Sequence, residues 1–496
     1  MKLLCDKTLH ELESRGVDVP KYRNEHHKPE IGIVHIGPGA FFRGHQAWYT
    51  HQALQSQGGD WAISAVSMRS SGVSDALTPQ NGLYSLAQLD SENSYQVIGS
   101  ITEVLIATQQ YQAVIERLSA TNTKFVTLTI TEKGYCLNNE GQLDLTHSEI
   151  IQDLATANGS NSVQAITAVG MLVNALAIRK AQGIAPFCIV SCDNITDNGK
   201  KLRAAVIQFA QAFDNDLADW LSKHLICPCT MVDSITPATD ESLRKLIEQE
   251  FSIKDNWPIK RESFLQWIIE DCLPEDRPAW EAAGAVLTSD VEGFENAKLR
   301  LLNCPHSTLA YIGVLLGCET VFDAMQNPEL VTFIEKMIDE EIIPSFISPK
   351  ELDAKAYSNE IFERFRNPAI RHLLAQIAWD GSQKLPMRIL PIIEQNLHDK
   401  RSIESLSGAI VAWFLFLRKR CIEKEELVDP LADNLLKKVS LCNDDIEHDI
   451  QILCSIEQVF KVELANNQQF IQSLQNSYQK MLPLLYAEAS SKIDFV

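Results

Sequence analysis

The run Asn296-Ala297-Lys298-Leu299-Arg300-Leu301-Leu302-Asn303-Cys304-Pro305-His306-Ser307 puts an ammonium, a carboxamide and an imidazole close together. These are the group types that reversible oxidation of an alcohol needs. One group must take the hydroxyl proton, and others must donate to the developing alkoxide. A lysine desolvated in a cleft has its pKa drawn toward neutrality and can act as the base. An amide such as that of Asn303 can donate to the oxygen. Pro305 is barred from a helix interior but suits a first turn. The spacing therefore predicts a new helix starting here, with Asn303 or Cys304 near its cap. Asn303 and His306 would then share a helix N-terminus, which favours negative charge. The competing reading is a surface Lys298 and an Asn303 that only caps.

A second amide is available. Ser191-Cys192-Asp193-Asn194 follows the apolar run 187–192. Ligands of α/β sheets gather at the carboxyl ends of strands. Asn194 could donate to the same oxygen, with Asp193 orienting it. Thr131-Glu132-Lys133-Gly134-Tyr135 follows another apolar run and belongs to the same rim.

Hydride chemistry needs a carrier, and Gly37-Pro38-Gly39-Ala40-Phe41-Phe42 is a partial dinucleotide fingerprint. The first glycine permits a tight turn, and the second lets backbone approach a pyrophosphate at a helix start. The third glycine of the usual pattern is replaced by Phe42, with Gly44 two residues later. The acid that binds ribose hydroxyls is expected after the next strand, but Met68-Arg69-Ser70-Ser71 has none. Arg69 could instead meet a 2′-phosphate, so the residues alone leave NADP open. A catalytic zinc is not expected. His224, Cys227 and Cys229 cluster, but they form no C-x-x-C pair and have no matched second group.

The elements that must carry these residues are legible as an alternation. Apolar runs at 31–36, 61–68, 125–130 and 187–192 read as strands, with helical stretches between them such as 109–120 and 166–181. The stretch 41–54 reads as one helix. That order predicts an α/β parallel sheet covered on both faces. Beyond about residue 286 the pattern turns helical, at 309–316, 331–342, 370–378, 410–419 and 467–482. Two domains, 1–286 and 287–496, follow from this change and from a length of 496 residues.

Bulk properties exclude several classes. A net charge of −21 without a basic run argues against nucleic acid as a partner. The 12 cysteines are dispersed, the opening MKLLCDKTLHELESRG is too polar for a signal peptide, and no run is long enough for a membrane span. A cytoplasmic chain with free thiols is expected.

With these blocks in view, the sequence resembles the polyol-specific long-chain dehydrogenases. The likeness is carried by 33–45, Thr129–Tyr135, Ser191–Asn194, 229–237, Lys298–His306 and Asp380-Gly381-Ser382-Gln383-Lys384. It implies a zinc-independent enzyme with an N-terminal Rossmann-type domain and a mostly α-helical C-terminal domain. The resemblance makes Lys298 the general acid/base and Asn194 and Asn303 the pair holding the substrate oxygen. His306 becomes a substrate-binding histidine, Asp233 a site-lining acid, Glu295 an acid for proton passage, and Lys384 an anion contact. The cofactor contacts it implies lie among Ile33, His35, Gly37, Gly39, Ala40, Phe41, Arg43, Gly44 and Arg69. Two departures stand out: Cys304-Pro305 replaces a glycine and a small residue, and Arg69 stands where mannitol dehydrogenases tend to carry an acid. The run 67–84 is more similar to the fructuronate reductase branch. That branch implies NAD and interconversion of D-fructuronate and D-mannonate, and the family as a whole implies a monomer or weak oligomer. Mannitol oxidation is the alternative substrate reading, and a catalytically silent nucleotide-binding protein is the alternative of a different class.

Overall fold

The computed structural model describes residues 1–89, 94–157 and 164–486. The chain divides into two compact units, Met1–Glu292 and Gly293–Val496.

The first unit is built on a five-stranded parallel sheet. Its strands, in chain order, are β1 Ile31–Ile36, β2 Ala62–Ser67, β3 Ile101–Ile106, β4 Phe125–Leu128 and β5 Cys188–Ser191. The spatial order is β3-β2-β1-β4-β5. The order reverses between β1 and β4, and such a switch point is where doubly wound sheets take ligands. Alternate residues face opposite sides, as the two-residue period of a strand requires. Val34, Ile36, Val66 and Val126 join helices Ala107–Ser119, Ala168–Ala181 and Asn198–Gln211 in one core. Ile33, Ile63, Phe125 and Val190 join Phe42, Trp267 and Trp280 in the other.

Several features depart from the sequence reading. β3 has no counterpart among the expected strands: Thr102 and Glu103 make it polar, as its place at the sheet edge allows. The stretch expected as one helix over 41–54 is two, Ala40–Gly44 and Gln46–Gln57, broken at His45 (φ −119°, ψ −92°). A small mixed sheet, with Gln266–Glu270 between Thr230–Asp233 and Val286–Thr288, adds strands where none were expected.

In the second unit the 20-residue helix Glu404–Glu423 is buried from Ser405 to Arg418. It packs against Cys304–Leu315 and Gln468–Met481. A helix apolar on all sides needs such company. The helix expected over 370–378 shrinks to Leu374–Ile377. Among the described residues, no helix is long and apolar enough to cross a membrane.

Candidate active site

In the first unit, β1 runs into Gly37, whose φ is +93°. A Cβ there would sit 2.2 Å from the Thr129 carbonyl oxygen, so only glycine fits. Gly39 differs. It is exposed, and a Cβ would meet nothing closer than 3.9 Å. The protein's own packing does not require glycine there, and the open space above the helix start fits a pyrophosphate.

Four of the expected cofactor residues are packed within the unit, beneath this turn. Ile33 is core. His35 is fully buried, with Nδ1 2.7 Å from Thr127 Oγ1 and Nε2 3.0 Å from Thr129 Oγ1, and its ring stacks on Phe42. Burial lowers its pKa to about 3, so it stays neutral. Arg43 donates to the Trp257 carbonyl at 2.7 Å and lies over the Trp257 ring. Burial draws its pKa down to about 10. Gly44 lies close to another segment: a Cβ there would meet the Thr236 side chain at 2.8 Å. These side chains therefore shape the turn from below. Gly37, Gly39, Ala40 and Phe41 are the less enclosed residues of the turn.

Beyond β2 and β4, Met68, Arg69, Ile130, Thr131 and Glu149 line a cavity of about 260 Å³. Arg69 is exposed and paired with Glu149 at 2.7 Å. The rim is tied to β5 through Asp193. Its carboxylate accepts from the Ile130 amide (3.0 Å), the Thr131 amide (2.8 Å) and the Tyr135 hydroxyl (2.6 Å). Burial raises the Asp193 pKa, and these donors oppose that. Thr131 is held at φ +64°, ψ +163°, a region costly for a non-glycine residue. Asn194 follows at an exposed position. Asp233 is buried at the end of its strand. Asn198 links these pieces: its Nδ2 donates to the Asp193 carbonyl (3.0 Å) and the Thr230 carbonyl (2.9 Å).

In the second unit the helix does not break at Pro305. Lys298–Asn303 forms a π-helical turn and Cys304–Leu315 continues as α-helix. Cys304 N–H reaches Leu299 O, an i→i+5 bond. The expected cap is thus corrected. Asn303 has helical backbone (φ −74°, ψ −33°) and makes no capping bond, so no helix N-terminus lies at His306. Proline would normally clash with the carbonyl four residues before it; the wider turn relieves that contact. The same turn sets Lys298 and Asn303 five residues apart, one π turn, on one side of the helix.

Helices Ala354–Phe365 and Gly381–Arg388 both pack against this turn. His306 stacks on Phe365 at 5.3 Å and lies 4.7 Å from the His372 ring. Its pKa falls well below 6.5, first through burial and then through His372, Arg388, Arg364 and Lys384. His306 Nε2 and the Tyr311 hydroxyl are buried with no hydrogen-bond partner among the described residues. Lys384 donates to the Ile377 carbonyl at 3.0 Å and Arg388 to Ser307 Oγ at 3.0 Å, both uncharged acceptors. Burial, and then the Arg388 charge, lower the Lys384 pKa, with Asp380 and Asp429 opposing.

Comparison with known proteins finds a family match in each part of the chain. The mannitol dehydrogenase Rossmann domain covers residues 31–282, and the mannitol dehydrogenase C-terminal domain covers 290–482. The chain belongs to the mannitol dehydrogenase family. It is a dehydrogenase acting on a CH–OH group. It is 35% identical to the D-mannonate oxidoreductase of Escherichia coli K12, over 92% of this chain and 94% of that one. It is also 35% identical to a mannitol 2-dehydrogenase of Aspergillus fumigatus, over 95% of each. The solved ternary complex of Pseudomonas fluorescens mannitol 2-dehydrogenase with NAD and D-mannitol is similar in structure, with TM-score 0.79 and 33% identity. That match covers 98% of this chain and 99% of the other.

Within this family frame, several residues around the candidate site were not singled out from sequence. Arg364, Phe365 and His372 approach His306 only through tertiary packing and have no local signal. Asn198 could have been suspected, because a buried asparagine at a helix start implies a stapling role.

Proposed function

We propose that this member of the mannitol dehydrogenase family reduces the ketone of a hexuronate, D-fructuronate, to D-mannonate with NADH. The carrying observation is the cation pair Lys384 and Arg388, one helical turn apart, which among the described residues hydrogen-bond to neutral acceptors. Half-buried like charges are costly, and a substrate carboxylate offsets that cost. Neutral His306, beside the same two cations, adds a hydrogen-bonding ring without adding charge.

When bound at the Gly37–Phe41 turn, a nicotinamide dinucleotide supplies the hydride. NAD is favoured over NADP because Glu149 already neutralises Arg69, the cation a 2′-phosphate would use. Protonated Lys298 delivers the proton to the substrate oxygen. Asn303, on the same side of the π turn, donates its amide to that oxygen, and Asn194 is assigned the second amide of the pair. Tyr135 and Asp193 hold the backbone leading into Asn194. Asp233 is assigned to the substrate hydroxyls. Glu295, one helical turn before Lys298, passes the proton onward.

The test is NADH absorbance with fructuronate, fructose and tagaturonate in turn. Fructuronate is expected to give the highest kcat/KM. A preference for fructose favours the mannitol reading, which the names of the fungal and Pseudomonas relatives support. Tight NADH binding without turnover of any substrate overturns the enzymatic reading.

A further inference from the structure

A second group of reactive side chains lies away from Lys298. Cys136, His147 and Glu149 each offer one ligand atom, and these atoms lie within 4.8 Å of one another. Local folding brings them together. The Asp144 amide donates to the Cys136 carbonyl (2.8 Å) and the His147 amide to the Asp144 carbonyl (3.0 Å). Glu149 is in the first turn of helix Ser148–Ala157. Cys136 itself is in the left-handed region (φ +52°).

We propose that Cys136, His147 and Glu149 form a site for a borderline-soft divalent cation such as zinc, and that its occupancy opposes dinucleotide binding. The ligand set decides the class: a thiolate, an imidazole and a carboxylate suit zinc, whereas magnesium and calcium prefer oxygen alone. Thiolate and carboxylate together balance the charge of a divalent ion. In a tetrahedral zinc site, sulfur and nitrogen donors sit about 3.5 Å apart, so the side chains must close by ~1 Å. Coordination would replace the long 3.3 Å bond that His147 Nδ1 accepts from the Glu149 amide. Glu149, Asp153 and Asp144 raise the Cys136 pKa after burial does. A cation reverses that field and draws the thiol proton off.

The link to nucleotide rests on the cofactor reading above and on one shared residue. Glu149 pairs with Arg69, and Cys136, Glu149 and Arg69 all line the cavity beyond β2 and β4. An ion that takes Glu149 removes the partner of Arg69 and fills one wall of that cavity. Linkage then requires NADH to weaken the ion by the same factor.

The experiment titrates Co²⁺ into metal-stripped full-length protein without nucleotide, followed by displacement with Zn²⁺. One equivalent of Co²⁺ is expected to raise a thiolate-to-metal charge-transfer band that Zn²⁺ abolishes. Cys136→Ser should lose the band. His147→Gln should bind at least ~10-fold more weakly while keeping its metal-free NADH turnover. A band that persists in Cys136→Ser, or unaltered affinity in His147→Gln, overturns the site. Saturating Zn²⁺ should raise the KM for NADH in the wild type and not in His147→Gln. An unchanged wild-type KM overturns the antagonism, and the nucleotide-free titration separates that result from failure of the cofactor assignment.

Discussion

The two turns that carry the proposed chemistry are built on opposite plans. At Gly37–Gly39 the backbone does the work and side chains are kept away. Gly37 lies against Thr129, and the groups beneath it, His35 and Arg43, have their hydrogen bonds met inside the unit. At Lys298–Asn303 the backbone is widened by a π turn so that side chains can project. The groups around it include a His306 Nε2 with no hydrogen-bond partner among the described residues and two cations held by neutral acceptors. The first turn suits a ligand recognised through backbone amides. The second suits one recognised through charge and proton transfer. Polar groups find their partners within the unit at the first turn, whereas around the second some are left with neutral acceptors.

The largest effect should come from the second turn. Lys298→Ala is expected to lower kcat on the order of 10²–10⁴-fold while NADH affinity stays within about 2-fold, read by steady-state rates and nucleotide titration. Substantial residual turnover would remove Lys298 from the proton step.

The first turn predicts a contrast between its glycines. Gly37→Ala should lower stability by ~2–3 kcal/mol and weaken NADH, because the left-handed backbone and the Thr129 carbonyl both reject a Cβ. Gly39→Ala should melt like the wild type yet bind NADH about 10-fold more weakly, because only the ligand needs that space. Equal NADH affinity in Gly39→Ala and wild type would break the comparison.

A smaller effect appears with acid. His35 and His51 are fully buried, and burial holds both pKa values at about 3, against 6.5 for an open histidine. Between those values the unfolded chain takes up protons that the folded chain refuses. Stability should therefore be complete above pH 6.5 and fall as pH drops toward 3, by ~1.4 kcal/mol per unit for each histidine. Denaturation midpoints across that range check the sign. His51→Gln should flatten the slope, and an unaltered slope would assign the acid sensitivity elsewhere.

The contrast also explains what could be read from sequence. The glycine turn is local: strand, Gly37, Gly39 and helix start are contiguous, and each residue type reports its backbone need. The motif does not say which side chains pack beneath the turn, as those of Ile33, His35 and Arg43 do. Lys298, Asn303 and His306 were legible as types, but their geometry was not. Pro305 points to a helix start when judged alone, and the i→i+5 bond before it has no compositional mark. Arg364 and His372 reach His306 from other segments, so no spacing rule could find them. β3 escaped because an edge strand tolerates Thr102 and Glu103, which erase the apolar run that marked its neighbours.

The central claim, that the second turn reads a carboxylate, is tested most directly by one selectivity ratio. The measurement is kcat/KM for fructuronate relative to fructose, in wild type and in Arg388→Met. Removing a charged hydrogen-bond partner should lower the ratio about 10–100-fold, with fructose turnover little altered. A ratio that is the same in both proteins would contradict the account.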